Sequence, residues 1–185
     1  VGRGALVTTR VTVYCGSQRT VPAGYLELAA EVGTAIAARG WSLTWGGSSV
    51  SMMGEVARTA REGGARTVGV IPRGLVGTEL ADDHADELLV VDTMRERKAL
   101  MEEHGDAFLA LPGGIGTCEE LFEMWTSRVL SMHTKPVVVL DVDNHYRGLF
   151  DWVRELGGRG FVSRHALDSL TITGDVATAL DACAS

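Results

Sequence analysis

Short apolar runs alternate along this chain with longer segments of helical period. The runs are VTVYC (11–15), WSLTW (41–45), RTVGVI (66–71), ELLVVD (87–92), DAFLAL (106–111), PVVVLD (136–141) and LTIT (170–173). Between them, segments at 25–39, 51–62, 93–104, 118–132, 146–156 and 175–183 repeat their apolar positions as an amphipathic helix does. Strands that are apolar at successive positions are buried on both faces, and helical crossovers leave neighbouring strands parallel. The pattern predicts an α/β fold: a doubly wound, mostly parallel sheet of six or seven strands flanked by helices. No internal repeat, low-complexity tract or linker interrupts it, and 185 residues suffice for one core rather than two. Residues 1–10 read as a disordered tail and 11–185 as a single domain.

In such sheets ligands sit beyond the carboxyl ends of the strands. The glycines collect there: CGS at 15–17, GGSS at 46–49, PRG at 72–74 and PGGIG at 112–116. Two nucleotide motifs are excluded. The first turn, CGSQRT, has one glycine where a dinucleotide fingerprint needs three, and WSLTW ends without the acid that would hold a ribose. Neither Lys98 nor Lys135, the two lysines of the chain, follows a glycine as a Walker A lysine does.

Composition narrows the partners. With 24 acidic residues against 17 basic, the formal net charge is −7, and no basic cluster marks a path for a phosphate backbone, so nucleic acid is not expected. Cys15, Cys118 and Cys183 contain no CxxC pair and leave one unmatched in any disulfide scheme, which favours a reducing compartment. No apolar stretch approaches the ~20 residues of a membrane span, and VGRGALVTTR at 1–10 lacks a signal-peptide core. These features suggest a cytoplasmic protein with no membrane partner. Five scattered histidines, His84, His104, His133, His145 and His165, form no i, i+4 pair, so no metal site is expected and each reads as a surface residue.

The densest chemistry lies in PGGIGTCEE (112–120). Gly113, Gly114 and Gly116 allow a tight turn after a strand, and Thr117 stands where a helix N-cap belongs. Free N–H groups at such a turn, reinforced by the helix dipole, make an anion site suited to phosphate. The same residues also spell a capping box, in which Glu120 returns a hydrogen bond to Thr117 N–H; both readings stand on the sequence. In DTMRERKALMEE (92–103), helical projection puts Met94, Leu100 and Met101 on one arc with Arg97 inside it and Lys98 at its edge. Arg95, Glu96, Glu102 and Glu103 fall outside. Arg97 is thus directed inward, beside a helix that begins with an acid, as a phosphorylated substrate with a developing positive charge would require.

At this point YCGS, GGSSVSMMGEVA, GVIPR, MRERKALM, LPGGIGTCEELFE and MHTKPVVVLD, in this order and spacing, resemble the LONELY GUY family of cytokinin-activating phosphoribohydrolases over roughly residues 11–175. The resemblance implies a Rossmann-like fold, assembly as a homodimer or larger oligomer, and no cofactor. It implies a small-molecule nucleotide substrate: a nucleoside 5′-monophosphate, either cytokinin riboside 5′-monophosphate or AMP, is hydrolysed to free base and ribose 5-phosphate. It puts catalysis on Arg97 and Glu120, and substrate contacts on Glu79, Lys98, Gly114, Ile115, Gly116, Thr117 and Thr126. Gly16, Ser17, Gly46 and Gly47 are further candidate contacts. Ser48 and Ser51 stand where the family usually has glycine, and Val129 and Ser131 where it has glutamine and glycine.

Members of the family are often labelled lysine decarboxylases. Pyridoxal phosphate chemistry needs a lysine for its Schiff base. Lys135 precedes a strand far from the glycine edge, and Lys98 fits a phosphate or carboxylate partner better, so that label is set aside.

Cleaving an N-glycosidic bond passes through an oxocarbenium-like state, which negative charge under the sugar stabilises. Placed at the third helical position, Glu120 would be held ionised by the helix dipole and would stabilise that charge and activate water. Arg97, always charged, would orient Glu120 and substrate. On the helix at 118–132, Leu121, Phe122, Trp125, Val129, Leu130 and Met132 cover about half the circumference, with Met124 beyond them. So wide an apolar arc predicts a subunit interface. The alternative function is a noncatalytic carrier of a nucleotide or of molybdenum cofactor, which would use the phosphate cradle and have no need of Arg97 with Glu120.

Overall fold

The computed structural model describes residues 8–78 and 80–185. Its strands are β1 (Arg10–Tyr14), β2 (Ser42–Trp45), β3 (Thr67–Pro72), β4 (Glu87–Val91), β5 (Ala107–Ala110), β6 (Val137–Leu140) and β7 (Thr171–Thr173). They form one seven-stranded sheet in the order β4-β3-β2-β1-β5-β6-β7, parallel at every pairing. Six of these strands coincide with the apolar runs to within two residues, and LTIT supplies the seventh, as an edge. The central strands are buried along both faces, which is why their sequences carry no polar alternation.

The helices are α1 (Ala23–Ala38), α2 (Ser51–Glu62), α3 (Met94–Glu103), α4 (Ile115–Val129), α5 (Arg147–Gly158), α6 (Arg164–Asp168) and α7 (Val176–Cys183). One face of the sheet packs against α1, α2 and α7 through Val32, Ile36, Val56, Ala60 and Leu180. The other packs against α3, α4 and α5 through Met101, Leu121, Met124, Trp125 and Phe150. The sheet is therefore doubly wound. No described helix is long and apolar enough to cross a membrane.

Arg10, expected in the tail, opens β1 and donates from its backbone N–H to Asp106 Oδ2 at 2.9 Å. The rest of the expected tail, residues 1–7, lies outside the described residues.

The chain turns from one half of the sheet to the other between β1 and β5, which pair side by side and end together at Tyr14 and Ala110. A crevice opens at such a reversal because the loops that follow the two strands leave toward opposite faces. Here the loops remain tied at their roots: Gly16 N–H donates to Pro112 O at 3.1 Å.

α4 begins earlier than its apolar period indicates. Gly114 is its N-cap, in extended conformation, and the first intrahelical bond runs from Cys118 N–H to Gly114 O at 3.0 Å. Thr117 is thus inside the first turn and buried, and Glu120 is in the second turn. The expected Thr117–Glu120 capping box and the third-position placement of Glu120 are both corrected by this start. A capping box does form elsewhere, at the head of α3, where Thr93 Oγ1 accepts from Glu96 N–H at 3.1 Å and Glu96 Oε2 accepts from Thr93 N–H at 2.9 Å.

The far end of α4 is also earlier than expected, because Ser131 takes a left-handed φ of 59°. Ser131 N–H donates to Arg128 O and Met132 N–H to Ser127 O, the two bonds of a Schellman motif. That geometry explains the glycine usual at this position. Of the expected apolar arc, Leu121 and Trp125 face the core together with Met124, whereas Leu130 and Met132 are 61% and 72% exposed.

Candidate active site

A cavity of about 610 Å³ opens at the carboxyl edge, between the β1–α1 loop, the end of β2, α3 and the Pro112–Gly116 turn. Arg97 and Glu120, the residues expected to be catalytic, both line it. Gly114, Ile115, Gly116 and Thr117 form one wall, and Gly16, Ser17 and Gly46 lie along the floor and side.

Arg97 is 5% exposed and is held by the scaffold rather than by solvent. Its Nε–H donates to Val70 O at 3.1 Å and its Nη2–H to Gly46 O at 2.7 Å. Two carbonyls, one within β3 and one just past the end of the adjacent β2, thus fix the plane of the guanidinium, a geometry that its forked donors allow and a lysine ammonium does not. Gly46 has to be glycine for this. A Cβ there would stand 2.0 Å from Arg97 Nη2 and 2.9 Å from Met53 Sδ. The inward direction of Arg97 read from the helical arc is the one observed. Met94, on the same arc, is half exposed and lines the cavity mouth instead of the core.

The turn is equally constrained. A Cβ on Gly113 would lie 2.1 Å from Thr117 Oγ1, so only glycine lets the strand pass this close to the helix it feeds. The first-turn N–H groups of Ile115, Gly116 and Thr117 precede the first intrahelical donor, Cys118 N–H, and sit on the positive end of the helix dipole. They give this wall of the cavity the donors and the field that suit an anion.

Cys15 lies beneath this wall, buried and lining the cavity. Burial first, and then the negative field of Glu120, raise its thiol well above the ordinary range, while Arg97 pulls the other way. It is therefore a neutral packing residue and not a nucleophile. Cys15 thus feels opposite charges from Glu120 and Arg97, which line the same cavity.

Other expected contacts fall elsewhere. Gly47, with φ of 73°, packs behind the cavity against Val70 and Ile71 of β3. Lys98 pairs with Glu119 and, at 2.7 Å, with Glu123, tying α3 to α4 beside the cavity rather than lining it. These carboxylates raise its pKa, the hydrogen bond that Lys98 donates to Glu119 first. Thr126 is exposed on α4 away from the cavity lining. Glu79 lies outside the described residues. Ser48 is fully buried, and Ser51, at φ of 55°, donates from Oγ to Gln18 O at 2.7 Å; neither lines the cavity.

Gln18, Tyr25 and His145 are among the lining residues that had no signal in the sequence. His145 contacts Gly113 from 32 positions away, a proximity that no local spacing encodes.

Comparison with known proteins gives the same answer. A cytokinin riboside 5′-monophosphate phosphoribohydrolase of Mycobacterium tuberculosis is 54% identical over 174 residues, 94% of this chain and 92% of the relative. The chain belongs to the LONELY GUY family. An Arabidopsis thaliana protein with the same enzyme name is 40% identical over 157 residues, covering 85% of this chain and 73% of its own. A family model described as "Possible lysine decarboxylase" matches residues 53–183. The lysines of this LONELY GUY member do not suit the chemistry in that description. Lys98 is ion-paired with a raised pKa, so it lacks the free amine a Schiff base requires. Lys135 donates to Glu102 O at 2.6 Å, before β6 and at the opposite edge of the sheet.

Among solved structures, a molybdenum cofactor binding protein from Rippkaea orientalis superposes with a TM-score of 0.72 at 21% identity, covering 96% of each chain. A molybdenum cofactor carrier protein from Chlamydomonas reinhardtii gives 0.71 at 24% identity, covering 95% of each. At these identities the likeness shows the shared Rossmann-like fold alone.

Proposed function

We propose that the protein hydrolyses the N-glycosidic bond of a nucleoside 5′-monophosphate, releasing free base and ribose 5-phosphate. One observation carries this: in a chain 54% identical to a named phosphoribohydrolase, Arg97 and Glu120 line one cavity with a helix N-terminus that can hold the 5′-phosphate. With the phosphate on the N–H groups of Ile115–Thr117, a ribose would extend over Glu120, one turn further along the same helix.

The carboxylate would then lie under the sugar as its ring becomes cationic, and would orient the attacking water. In the second turn Glu120 gains less from the helix dipole than a third-position acid would, because that field fades within the first turn. Arg97, clamped on Gly46 O and Val70 O, supplies fixed positive charge against which a carboxylate and a phosphate can share one cavity. Val21, Pro22, Tyr25, Leu75 and Met94 offer an apolar wall for the base. Cytokinin riboside 5′-monophosphate, the substrate in the relatives' name, fits this wall through its apolar side chain, and AMP is the unsubstituted case.

We place the enzyme in the cytoplasm, on its three free cysteines, and read it as a homodimer. The support for a dimer is the exposed apolar side chains at the two ends of α4, Ile115 at its start and Leu130 and Met132 beyond its end, with the exposed Thr126 one turn before Leu130. A second copy packed here would cover these side chains and could bring Thr126 to a neighbouring cavity, and sedimentation equilibrium measures that state directly.

Incubation of the purified protein with prenylated adenosine 5′-monophosphate and with AMP, followed by chromatography for free base, tests the function. Glu120→Gln should abolish base release while retaining nucleotide binding. Binding without turnover by the unaltered protein would instead favour a carrier.

A further inference from the structure

The turn after β5 is held in an unusual way. Three successive carbonyls, those of Leu111, Pro112 and Gly113, are each bonded by a different partner. Tyr146 Oη–H donates to Leu111 O at 2.6 Å and Gly16 N–H to Pro112 O at 3.1 Å, and in its Nε2–H tautomer His145 donates to Gly113 O at 2.8 Å, the same nitrogen lying 3.2 Å from Gly113 N. Two of the three donors are adjacent residues just beyond β6, remote in sequence from the turn they hold.

The chain bends sharply to aim them. Asp143 and Asn144, at φ of 57° and 56°, are consecutive left-handed residues, and Asp and Asn are the side chains that tolerate that region best after glycine. Asp141 Oδ1 accepts Tyr146 N–H at 2.9 Å and completes the bend. Tyr146 is buried, with its ring edge-on to Phe150 at 5.9 Å. His145 stands edge-on to Tyr146 at 4.6 Å and to Tyr25 of α1 at 5.8 Å. The imidazole is thus fixed by one ring on each side with its Nε2 directed at Gly113.

We propose that His145 and Tyr146 form a positioning clamp that sets the phosphate-binding backbone of the turn. By pairing the carbonyls of Leu111 and Gly113, the clamp keeps these negative dipoles occupied and turned toward the protein. The N–H groups that follow, at Ile115, Gly116 and Thr117, are left facing the cavity. An anion site whose donors are held before the ligand arrives loses less on binding than one that must reorganise. His145 is a positioning residue in this account, acting through Gly113. The proposal rests on the reading of this turn as the 5′-phosphate cradle.

The test uses ribose 5-phosphate and AMP as probes, with the full-length protein. His145→Phe keeps a ring between Tyr25 and Tyr146 and removes the Nε2–H donor, whereas His145→Gln restores a donor at similar reach. Titration calorimetry should show ribose 5-phosphate binding weakened about tenfold in His145→Phe and largely recovered in His145→Gln. In steady-state assays with AMP the loss should fall in KM rather than in kcat, which a general loss of folding would not produce.

Equal affinity of the unaltered protein and His145→Phe would overturn the clamp while leaving the cradle intact. Equal weakness of the Phe and Gln variants would also overturn it. Failure of the unaltered protein to bind ribose 5-phosphate or AMP would overturn the cradle itself. Should His145→Phe not fold by circular dichroism, Tyr146→Phe removes only the hydroxyl that holds Leu111 O, and its affinity decides the question in the same way.

Discussion

Replacing Gly46 with alanine leaves every charged residue of the site in place and disturbs one distance. The added Cβ would lie 2.0 Å from Arg97 Nη2, against 3.4 Å for the near limit of ordinary contact. The guanidinium must therefore retreat by about 1.4 Å, the difference of those values, or the β2 terminus must move by as much. Either movement breaks the 2.7 Å bond from Arg97 Nη2 to Gly46 O in a buried setting. Loss of that charged hydrogen bond together with overpacking is worth roughly 2–4 kcal/mol of stability, a fall of roughly 6–12 °C in Tm for a chain of this size. A displacement beyond 1 Å of a group that orients substrate lowers the rate about 100-fold, equivalent to roughly 2.7 kcal/mol in the barrier. The assay is base release from AMP by chromatography, with thermal unfolding followed by circular dichroism on the same preparations. Gly24→Ala is the control, because nothing lies within 4 Å of a Cβ at that helical glycine; it should leave turnover unchanged and stability equal or slightly raised. A Gly46→Ala protein with near-normal kcat/KM would refute the claim that the carbonyls of Gly46 and Val70 fix Arg97 for catalysis.

Further outcomes follow from the same geometry. Arg97→Lys should lower kcat/KM by about 30- to 1,000-fold, since an ammonium cannot hold Gly46 O and Val70 O in one plane, and Arg95→Lys on the exposed side of α3 should change little; steady-state kinetics of the pair decides this. If the N–H wall of α4 is the main affinity handle, AMP should be cleaved far more efficiently than adenosine, and equal kcat/KM for the two would remove the phosphate from the account. Ser131→Gly should raise stability by about 0.5–1 kcal/mol, or roughly 1–3 °C in Tm, because it relieves a left-handed side chain at the end of α4 and keeps both backbone bonds of the motif. An unchanged or lower Tm would show that the unfolded chain's added freedom outweighs the relief.

Much of the architecture was legible in the order of residues because burial imposes a period on it. A strand such as Val137–Leu140, covered on both faces, has to be apolar throughout, and a crossover helix has to be apolar on one side. The same logic directed Arg97 inward, since a cation between Leu100 and Met101 on an amphipathic arc shares their destination. Glycine clusters marked the correct edge, because tight turns and close approaches occur where strands deliver the chain to a ligand.

Where a helix begins was not legible in the same way. Thr117 and Glu120 have the types and spacing of a capping box, but so do Thr93 and Glu96, and only the latter pair caps. The choice is made by Gly113, whose missing Cβ lets Thr117 pack against it and starts α4 at Ile115. Similarly, nothing near Lys98 in the chain announces that Glu119 and Glu123 will claim it before a ligand does. His145 read as one of five scattered histidines, and its role depends on a turn that its own strand reaches only through sheet order. Residue types and their local period determined the layers of this protein and the chemistry available at its edge. Contacts between segments far apart in the chain, which periodicity does not record, decided which of those groups face one cavity and which hold its walls.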